Sequence, residues 1–201
     1  FSSGAVRESH PPRPKRMSDS HLHVLPPEDL LPLPAVMPRE QARRWFSPFE
    51  EAQARSSLAI FVTQSAYQQT VEHAASEMEN EVGGVLVGNW CSQVESTQQF
   101  IVVETALRAR FTRSGSVFLT FTQDSLVDLH TEMDEHYAGK QIVGWYHTHP
   151  GLGVFLSHYD AWLHTYFFPE SWQVALVIEP VADLGGFFVR QVGGEDRKSD
   201  V

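Results

Sequence analysis

Two histidines and an aspartate are spaced in this chain as metal ligands often are. His147 and His149 are two residues apart and follow an apolar run, residues 141–146, that predicts a strand. Both imidazoles are therefore expected on the same side of that strand. Asp160 follows in a predicted helix over residues 157–168, after a loop rich in Pro and Gly. Two imidazoles and one carboxylate suit Zn²⁺ and leave a fourth position for water, the usual arrangement of a catalytic zinc site.

Ser157, three residues before Asp160, has two compatible interpretations. Ser-x-x-Asp before an apolar run is typical of a helix capping box, and two histidines at a strand end are often only surface residues. The serine hydroxyl can accept a capping bond and still donate to a substrate oxygen. The helix dipole would also favour the ionised, metal-binding form of Asp160. The combination of both patterns at one fixed spacing favours the metal site.

The pattern His147-x-His149-x₇-Ser157-x₂-Asp160 resembles the metal signature of the JAMM (MPN+) metallopeptidases. The stretch from residue 142 to residue 180, which includes GWYHTHPG and WQVALVIEP, is similar to the prokaryotic JAB-type members. The resemblance extends over about residues 58–192. It implies that the two histidines and Asp160 hold Zn²⁺.

A second motif lies far upstream, where Glu81 precedes the glycine-rich run VGGVLVG. It matches the glutamate that the same family requires. The resemblance implies that Glu81 is the catalytic base and that Ser157 donates a hydrogen bond to the oxyanion of the intermediate. Acidic residues at the end of a helix oppose its dipole, and a chemical task would account for an acid at position 81.

The resemblance also implies a fold and an activity. The fold is the MPN/JAB fold of the α/β (α+β) class, a curved mixed β-sheet flanked by helices and related to the cytidine-deaminase architecture. The activity is that of a zinc metallopeptidase, a deubiquitinase-like isopeptidase that cleaves after the C-terminal tail of a ubiquitin-like protein, in deconjugation or precursor processing. Two alternatives stay open: a zinc peptidase acting on short or cell-wall peptides, and a non-catalytic MPN scaffold.

Local patterns predict the elements that position these residues. Thr63 and Thr122 are expected to cap helices over residues 64–80 and 123–137. Further strands are predicted over residues 58–62, 82–90, 100–105, 117–121, 173–178 and 186–192. The first helix is expected to bury a stripe made of Tyr67, Val71, Ala74, Ala75 and Met78. Glycines within the strand over residues 82–90 are expected to allow close backbone approach.

The N-terminal segment, residues 1–57, contains nine of the 12 prolines. We therefore expect no regular sheet or long helix in it, with a short helix conceivable over residues 39–46. It is either a linker or an arm that docks a protein partner through its apolar residues. The domain proper is assigned to residues 58–193 and a flexible tail to residues 194–201. A protein beginning near Ser57 is expected to keep zinc and a comparable kcat.

Composition limits the other possibilities. The net charge of −10 over 201 residues argues against nucleic-acid binding. The single cysteine, Cys91, excludes a disulfide framework and predicts a buried or edge thiol. Neither a run of 18 apolar residues nor a signal-peptide core is present in the sequence, so we expect a cytoplasmic protein with no membrane contact.

Six other side chains are considered for a role. His158 and His164 are predicted to lie on the surface, although His164 is one turn after Asp160 and is an alternative partner for its carboxylate. Trp145 and Trp162 are predicted core residues. The N-terminal pair His21 and His23 repeats the His-x-His spacing without a third ligand and is interpreted as incidental.

Overall fold

The computed structural model describes residues 31–47, 58–110, 112–115 and 118–190, with only the backbone described for residues 112–115 and 118. The described residues from Pro32 onward belong to one compact unit. The predicted tail, residues 1–30 with the pair His21 and His23, and residues 48–57 lie outside the described residues.

The described part of the chain forms ten strands and three helices. The strands are β1 (Leu33–Ala35), β2 (Ala42–Arg44), β3 (Leu58–Thr63), β4 (Gly83–Gln93), β5 (Gln99–Arg108), β6 (Thr112–Gly115), β7 (Phe118–Phe121), β8 (Gln141–Thr148), β9 (Val174–Glu179) and β10 (Leu184–Phe188). The helices are α1 (Gln64–Ala75), α2 (Gln123–His136) and α3 (His158–Phe167).

Eight of the strands form one mixed sheet. Its order is β10-β9-β8-β4-β5-β3-β2, with β1 pairing with β4, while β6 and β7 form a separate hairpin. The β3–β5, β8–β9 and β1–β4 pairs are parallel, and the other pairs are antiparallel. Register shifts in β4, between Leu86 and Gly88, mark bulges that increase the twist of this central strand. The predicted mixed sheet with flanking helices is confirmed.

Gly83 explains how β4 and β8 approach each other beside the candidate site. It is paired with His147 across the two strands, and a Cβ at Gly83 would collide with the carbonyl oxygen of Tyr146. Gly84 is similarly constrained by the carbonyl of Leu107. The expectation that these glycines allow close backbone approach is confirmed.

The predicted buried face of α1 is wrong except at Ala74, which is buried. Tyr67 is 56% exposed, Val71 is 36% exposed, and the helix ends at Ala75, so Met78 lies beyond it. The side chains that face the sheet are one position earlier in the sequence: Ala66, Thr70, His73 and Ala74. Two of them are polar, and both find hydrogen-bond partners. Thr70 bonds to the carbonyl of Ala66, and His73 Nδ1 lies 2.8 Å from the Tyr146 hydroxyl.

The N-terminal segment contributes two strands to the sheet, so the expectation of no regular sheet is wrong for residues 33–35 and 42–44. The helix considered over residues 39–46 is also wrong, because a turn leads directly into β2. β1 pairs with the end of β4 and is an edge strand, where a proline without an N–H donor is tolerated. Met37 and Ala42 are buried in a cluster with Phe61 and Phe100.

We expect a protein beginning at residue 58 to be markedly less stable than one beginning at residue 31. The shorter protein loses β1, β2 and the buried side chain of Met37, whose burial alone is worth about 1.5–3 kcal/mol. Thermal unfolding should show a Tm lower by about 5 °C or more. Equal Tm values for the two proteins would contradict this role for residues 31–47.

Cys91 is 4% exposed, which confirms the buried thiol. No helix in residues 31–47, 58–110 or 118–190 is both long and apolar enough to cross a membrane.

Candidate metal centre

The two histidines are fixed by the central strands. His147 is the penultimate residue of β8 and is paired with Gly83 of β4 on one side and with Val177 of β9 on the other. His149 follows the strand, and its backbone N–H donates to the carbonyl of Ile178 at 2.8 Å. Both imidazoles are buried, with exposed fractions of 0% and 2%.

The carboxylate comes from the first turn of α3. Ser157 is the N-cap: its Oγ accepts from the N–H of Asp160 at 3.1 Å, and Asp160 Oδ2 accepts from the N–H of Ser157 at 2.7 Å. The predicted capping box is therefore confirmed. Asp160 is also only 2% exposed and faces the histidines, so one carboxylate caps the helix and completes the cluster.

The three side chains converge closely. His147 Nε2 and His149 Nε2 lie 3.0 Å apart, and they lie 3.4 Å and 3.5 Å from the two oxygens of Asp160. One ligand atom from each residue lies within 4.8 Å of the others. The group could hold a metal ion.

Glu81 lies beside this cluster, between α1 and β4. Its side chain is 1% exposed, and its Oε1 lies 3.7 Å from His149 Nε2. Its Oε2 is buried and has no hydrogen-bond partner among the described residues. The neighbouring backbone is held to β8, because the N–H of Val82 donates to Thr148 Oγ1 and the N–H of Thr148 donates to the carbonyl of Val82, both at 2.9 Å.

The two carboxyl groups of the site have very different proton affinities. Burial raises the pKa of Glu81 to about 7, against the attraction of His149, and the charge of Asp160 raises it further. Burial also acts to raise the pKa of Asp160, but hydrogen bonds from His147 and His149 outweigh burial and hold it well below its usual value. Asp160 is thus suited to remain an anion, while Glu81 is suited to exchange a proton.

The histidines also differ. Burial lowers the pKa of His147 below its usual value. Burial acts the same way on His149, but the bond to Asp160 and the charges of Glu81 and Asp160 outweigh it, so the pKa of His149 is raised. A cation at this position would take the place of the proton on His149, because metal binding requires the neutral imidazole.

Sequence patterns did not single out Glu179, which fixes the loop after His149. Its carboxylate is 4% exposed and accepts from the backbone N–H groups of Gly151 at 2.9 Å, Val181 at 2.8 Å and Ala182 at 2.9 Å. The bond from Gly151, with the other two N–H groups, lowers the pKa of Glu179. An acid at the end of an apolar strand is the signal that could have identified it.

Phe155 was also missed. Its ring centroid lies 4.6 Å from that of His149, and the side chain is 38% exposed. A substrate approaching His149 from solvent would therefore meet an aromatic surface.

Of the four predictions for the other histidines and tryptophans near the site, two are confirmed and two are wrong. His158 is exposed and Trp145 is fully buried, as predicted. His164 is only 7% exposed, so the surface prediction is wrong, and its Nδ1 pairs with Trp145 instead of with Asp160. Trp162 is 48% exposed, so its assignment to the core is wrong. It lies on the outer face of α3, where its ring stacks with that of Tyr159.

A family comparison accounts for this architecture. The model of the JAB1/Mov34/MPN/PAD-1 ubiquitin protease family matches residues 55–169, more than half of the chain. The chain belongs to this family. Membership confirms the JAMM/MPN resemblance that the two motifs predicted, and with it the MPN/JAB fold.

Several relatives share this region at low identity. The 26S proteasome regulatory subunit RPN11 of Eremothecium gossypii and the ubiquitin carboxyl-terminal hydrolase RPN11 of Saccharomyces cerevisiae are each 25% identical over 130 residues, which is 63% of this chain and 40% of theirs. The COP9 signalosome complex subunit 5 of Candida albicans is 30% identical over 133 residues, 62% of this chain and 20% of its own length. The chain thus spans less than half the length of these relatives.

A solved structure also resembles the chain. The solution structure of protein DSY2949 from Desulfitobacterium hafniense aligns with a TM-score of 0.47 and 20% identity, over 67% of this chain and 86% of that one.

Proposed function

We propose that this protein is a zinc-dependent isopeptidase or peptidase that cleaves after the C-terminal tail of a ubiquitin-like protein, in deconjugation or precursor processing. The observation that carries the proposal is the buried cluster of His147, His149 and Asp160 with the carboxyl of Glu81 beside it. Family membership and the yeast relative named as a ubiquitin carboxyl-terminal hydrolase support the substrate class. Docking of a protein partner by residues 1–57 stays a prediction.

The donor set fits zinc in type and in spacing. Tetrahedral zinc with bonds of about 2.0–2.2 Å has its ligand atoms about 3.3–3.6 Å apart. The separations of 3.4 Å and 3.5 Å between the histidine nitrogens and Asp160 agree with this, and the 3.0 Å between the two nitrogens requires only a small movement of one ring. Three protein ligands leave one coordination position for chemistry.

The residues around the cluster suit hydrolysis of an amide bond. When bound, zinc supplies Lewis acidity toward a carbonyl oxygen and lowers the pKa of water. Glu81 would take the proton from the attacking water and deliver it to the leaving amine, a role for which its raised pKa is appropriate. The Ser157 hydroxyl accepts the capping bond through its oxygen, and its hydrogen would donate to the developing oxyanion.

The two alternatives, a zinc peptidase acting on short or cell-wall peptides and a non-catalytic MPN scaffold, predict different outcomes. A non-catalytic scaffold has no need to bury two imidazoles and two carboxyl groups, which is costly without a compensating ligand. The decisive experiment compares the zinc-loaded protein on a ubiquitin-like fusion and on a short peptide with the same tail sequence. We expect a higher kcat/KM for the fusion. Equal values would favour a peptidase of short peptides, and hydrolysis of neither by the zinc-loaded protein would favour a scaffold.

Substitutions at Ser157 can separate the effect of this residue on catalysis from its effect on stability. Replacing it with Ala should lower kcat by about 10²–10³-fold through loss of the oxyanion donor, and stability by about 1 kcal/mol through loss of the cap. Ser157→Gly should lower kcat equally but cost only a few tenths of a kcal/mol, because Gly is a tolerated N-cap. Steady-state kinetics and urea unfolding measure the two effects.

Ser157→Thr is the control, since it retains both hydroxyl functions and should remain close to the wild type in stability. A zinc-loaded Ser157→Gly variant with unchanged kcat would exclude the serine hydroxyl from the reaction.

A further inference from the structure

Within the described ranges, His147 has no partner for the hydrogen bond that usually orients a metal-ligating histidine. Such a residue normally donates its second ring N–H to a carboxylate, carbonyl or water, and this fixes the ring. His147 directs Nε2 toward Asp160, but its Nδ1 is buried without a hydrogen-bond partner among the described residues. His149 differs, because its Nδ1 lies 3.3 Å from the carbonyl oxygen of Gly153. Another interaction must set the plane of the His147 ring.

The indole of Trp145 is the surface against which His147 lies. The two side chains are two residues apart on β8 and therefore leave the same face of the strand. Their rings are nearly parallel, with centroids 4.5 Å apart and an interplanar angle of 8°. Phe168 also stacks on Trp145, at 5.7 Å and 6°. The indole is fully buried, so its position determines which orientation is open to the imidazole.

The indole is anchored by its single polar atom. Trp145 Nε1–H donates to His164 Nδ1 at 3.1 Å, and both side chains are buried. This bond requires His164 to be neutral with its proton on Nε2. Burial, with the nearby charge of Arg190, lowers the pKa of His164 to about 3, which keeps Nδ1 available as an acceptor.

The environment of His164 argues against a purely packing role. Its Nε2 is buried and has no hydrogen-bond partner in the part of the chain that the structure describes. A buried, unpaired ring N–H carries a desolvation penalty of about 1–3 kcal/mol that an apolar side chain would avoid. The bond that His164 makes through Nδ1 is the feature that a leucine at this position could not provide.

Helix α3 connects the candidate metal-ligand cluster with the Trp145 indole. Asp160 and His164 are one turn apart on it, one directed at the histidine cluster and the other at the indole. The end of the helix is fixed in turn by Arg190, which donates to the carbonyls of His164 at 2.7 Å and Glu170 at 2.6 Å. Helix α3 therefore supplies one candidate ligand, Asp160. Through His164 it also contacts the indole that stacks against another candidate ligand, His147.

We infer that His164 is a positioning residue for His147, acting through the Trp145 indole to hold the imidazole in the orientation that binds the metal. The inference rests on the proposed function in one respect, that His147 is a metal ligand. The stacked indole of Trp145 would thus orient His147, whereas a hydrogen bond usually orients a histidine ligand.

The test measures zinc affinity by competition with a chromophoric chelator. His164→Leu removes the acceptor and should weaken zinc binding by about 10–100-fold, the usual effect of losing an orienting partner. His164→Asn should restore much of the affinity, because its amide oxygen can occupy the place of Nδ1. In a Trp145→Phe background, which has no indole N–H, His164→Leu should cause no further loss.

If His164→Leu does not fold, His164→Gln replaces it. The longer amide reaches the place of Nε2 instead of Nδ1, and zinc should bind it more weakly than His164→Asn. A folded His164→Leu or His164→Gln variant with wild-type zinc affinity overturns the inference. So does an equal loss of affinity in the Trp145→Phe background, because His164 would then act by another route.

The outcomes also separate this inference from the proposed function. A wild-type protein that binds zinc and responds to the His164 variants, but cleaves no ubiquitin-like fusion or peptide, supports the positioning role and overturns the proposed hydrolysis. A wild-type protein that binds no zinc overturns both.

Discussion

Replacing Glu81 with Gln is expected to reduce turnover to near background while the zinc content stays at the wild-type level. The amide retains the shape of the carboxyl but cannot accept a proton from water, and general-base catalysis contributes up to about 10⁴-fold to a rate. Glu81 lies 3.7 Å from His149 Nε2 and outside the group of three converging ligand atoms, so its loss should spare the metal. Single-turnover hydrolysis of a ubiquitin-like fusion and metal analysis of the same sample measure the two quantities.

Glu79→Gln is the matched control, since Glu79 is a nearby glutamate with an exposed side chain. Its backbone N–H donates to the Glu77 carboxylate at 2.8 Å, and Glu79 is not part of the metal-ligand cluster. The control variant should retain full activity. Loss of zinc together with activity in Glu81→Gln would make Glu81 a ligand, and near-normal turnover would assign the base to another group.

Local sequence signals predicted the helix starts well. Thr63, Thr122 and Ser157 are the N-caps of the three described helices, and each side chain accepts a backbone N–H as expected. These predictions succeed because a cap depends on residues within one turn of each other. The convergence of His147, His149 and Asp160 was predictable for a related reason, because one strand, one short loop and one helix turn bring the three side chains together.

Contacts between distant parts of the chain were not predictable in this way. The face that α1 buries is decided by partners such as Tyr146, which is 73 residues from His73. β1 forms because Leu33 is aligned with Cys91 at the edge of β4, and no local pattern within a proline-rich segment signals that pairing. Proline content predicted the absence of long regular elements but not the short edge strands that remain possible.

The chemistry of the site depends on the same long-range contacts. The sequence placed Glu81 in the site only through the family motif, and its raised pKa follows from burial that the fold creates. The spacing of His164 from Asp160 suggested a contact with the Asp160 carboxylate, but its actual partner is Trp145 on another element, which no local pattern indicates. Residue type and spacing thus identified the candidate ligands, while the contacts around them, such as that between Trp145 and His164, became visible only in three dimensions.

The His149→Ala variant is expected to lose tight zinc binding and all metal-dependent hydrolysis. His149 contributes one of three candidate ligand atoms and lies 3.5 Å from Asp160 Oδ2, so its removal leaves two ligands for the ion. His158→Ala is the matched control. It also removes an imidazole, but from an exposed histidine next to Ser157 that lies outside the ligand cluster. Metal analysis after zinc reconstitution should give about one ion per chain for the wild type and the control.

Thermal unfolding provides a second readout that does not depend on activity. A ligand that binds only the folded state stabilises it by RT ln(1 + [L]/Kd), about 2.7 kcal/mol at a zinc concentration of 100 Kd. The Tm of the wild type and of His158→Ala should therefore rise with added zinc, whereas the Tm of His149→Ala should not. Undiminished zinc binding by a folded His149→Ala protein would remove His149 from the ligand set, and with it the arrangement of two imidazoles and a carboxylate on which the proposed hydrolysis depends.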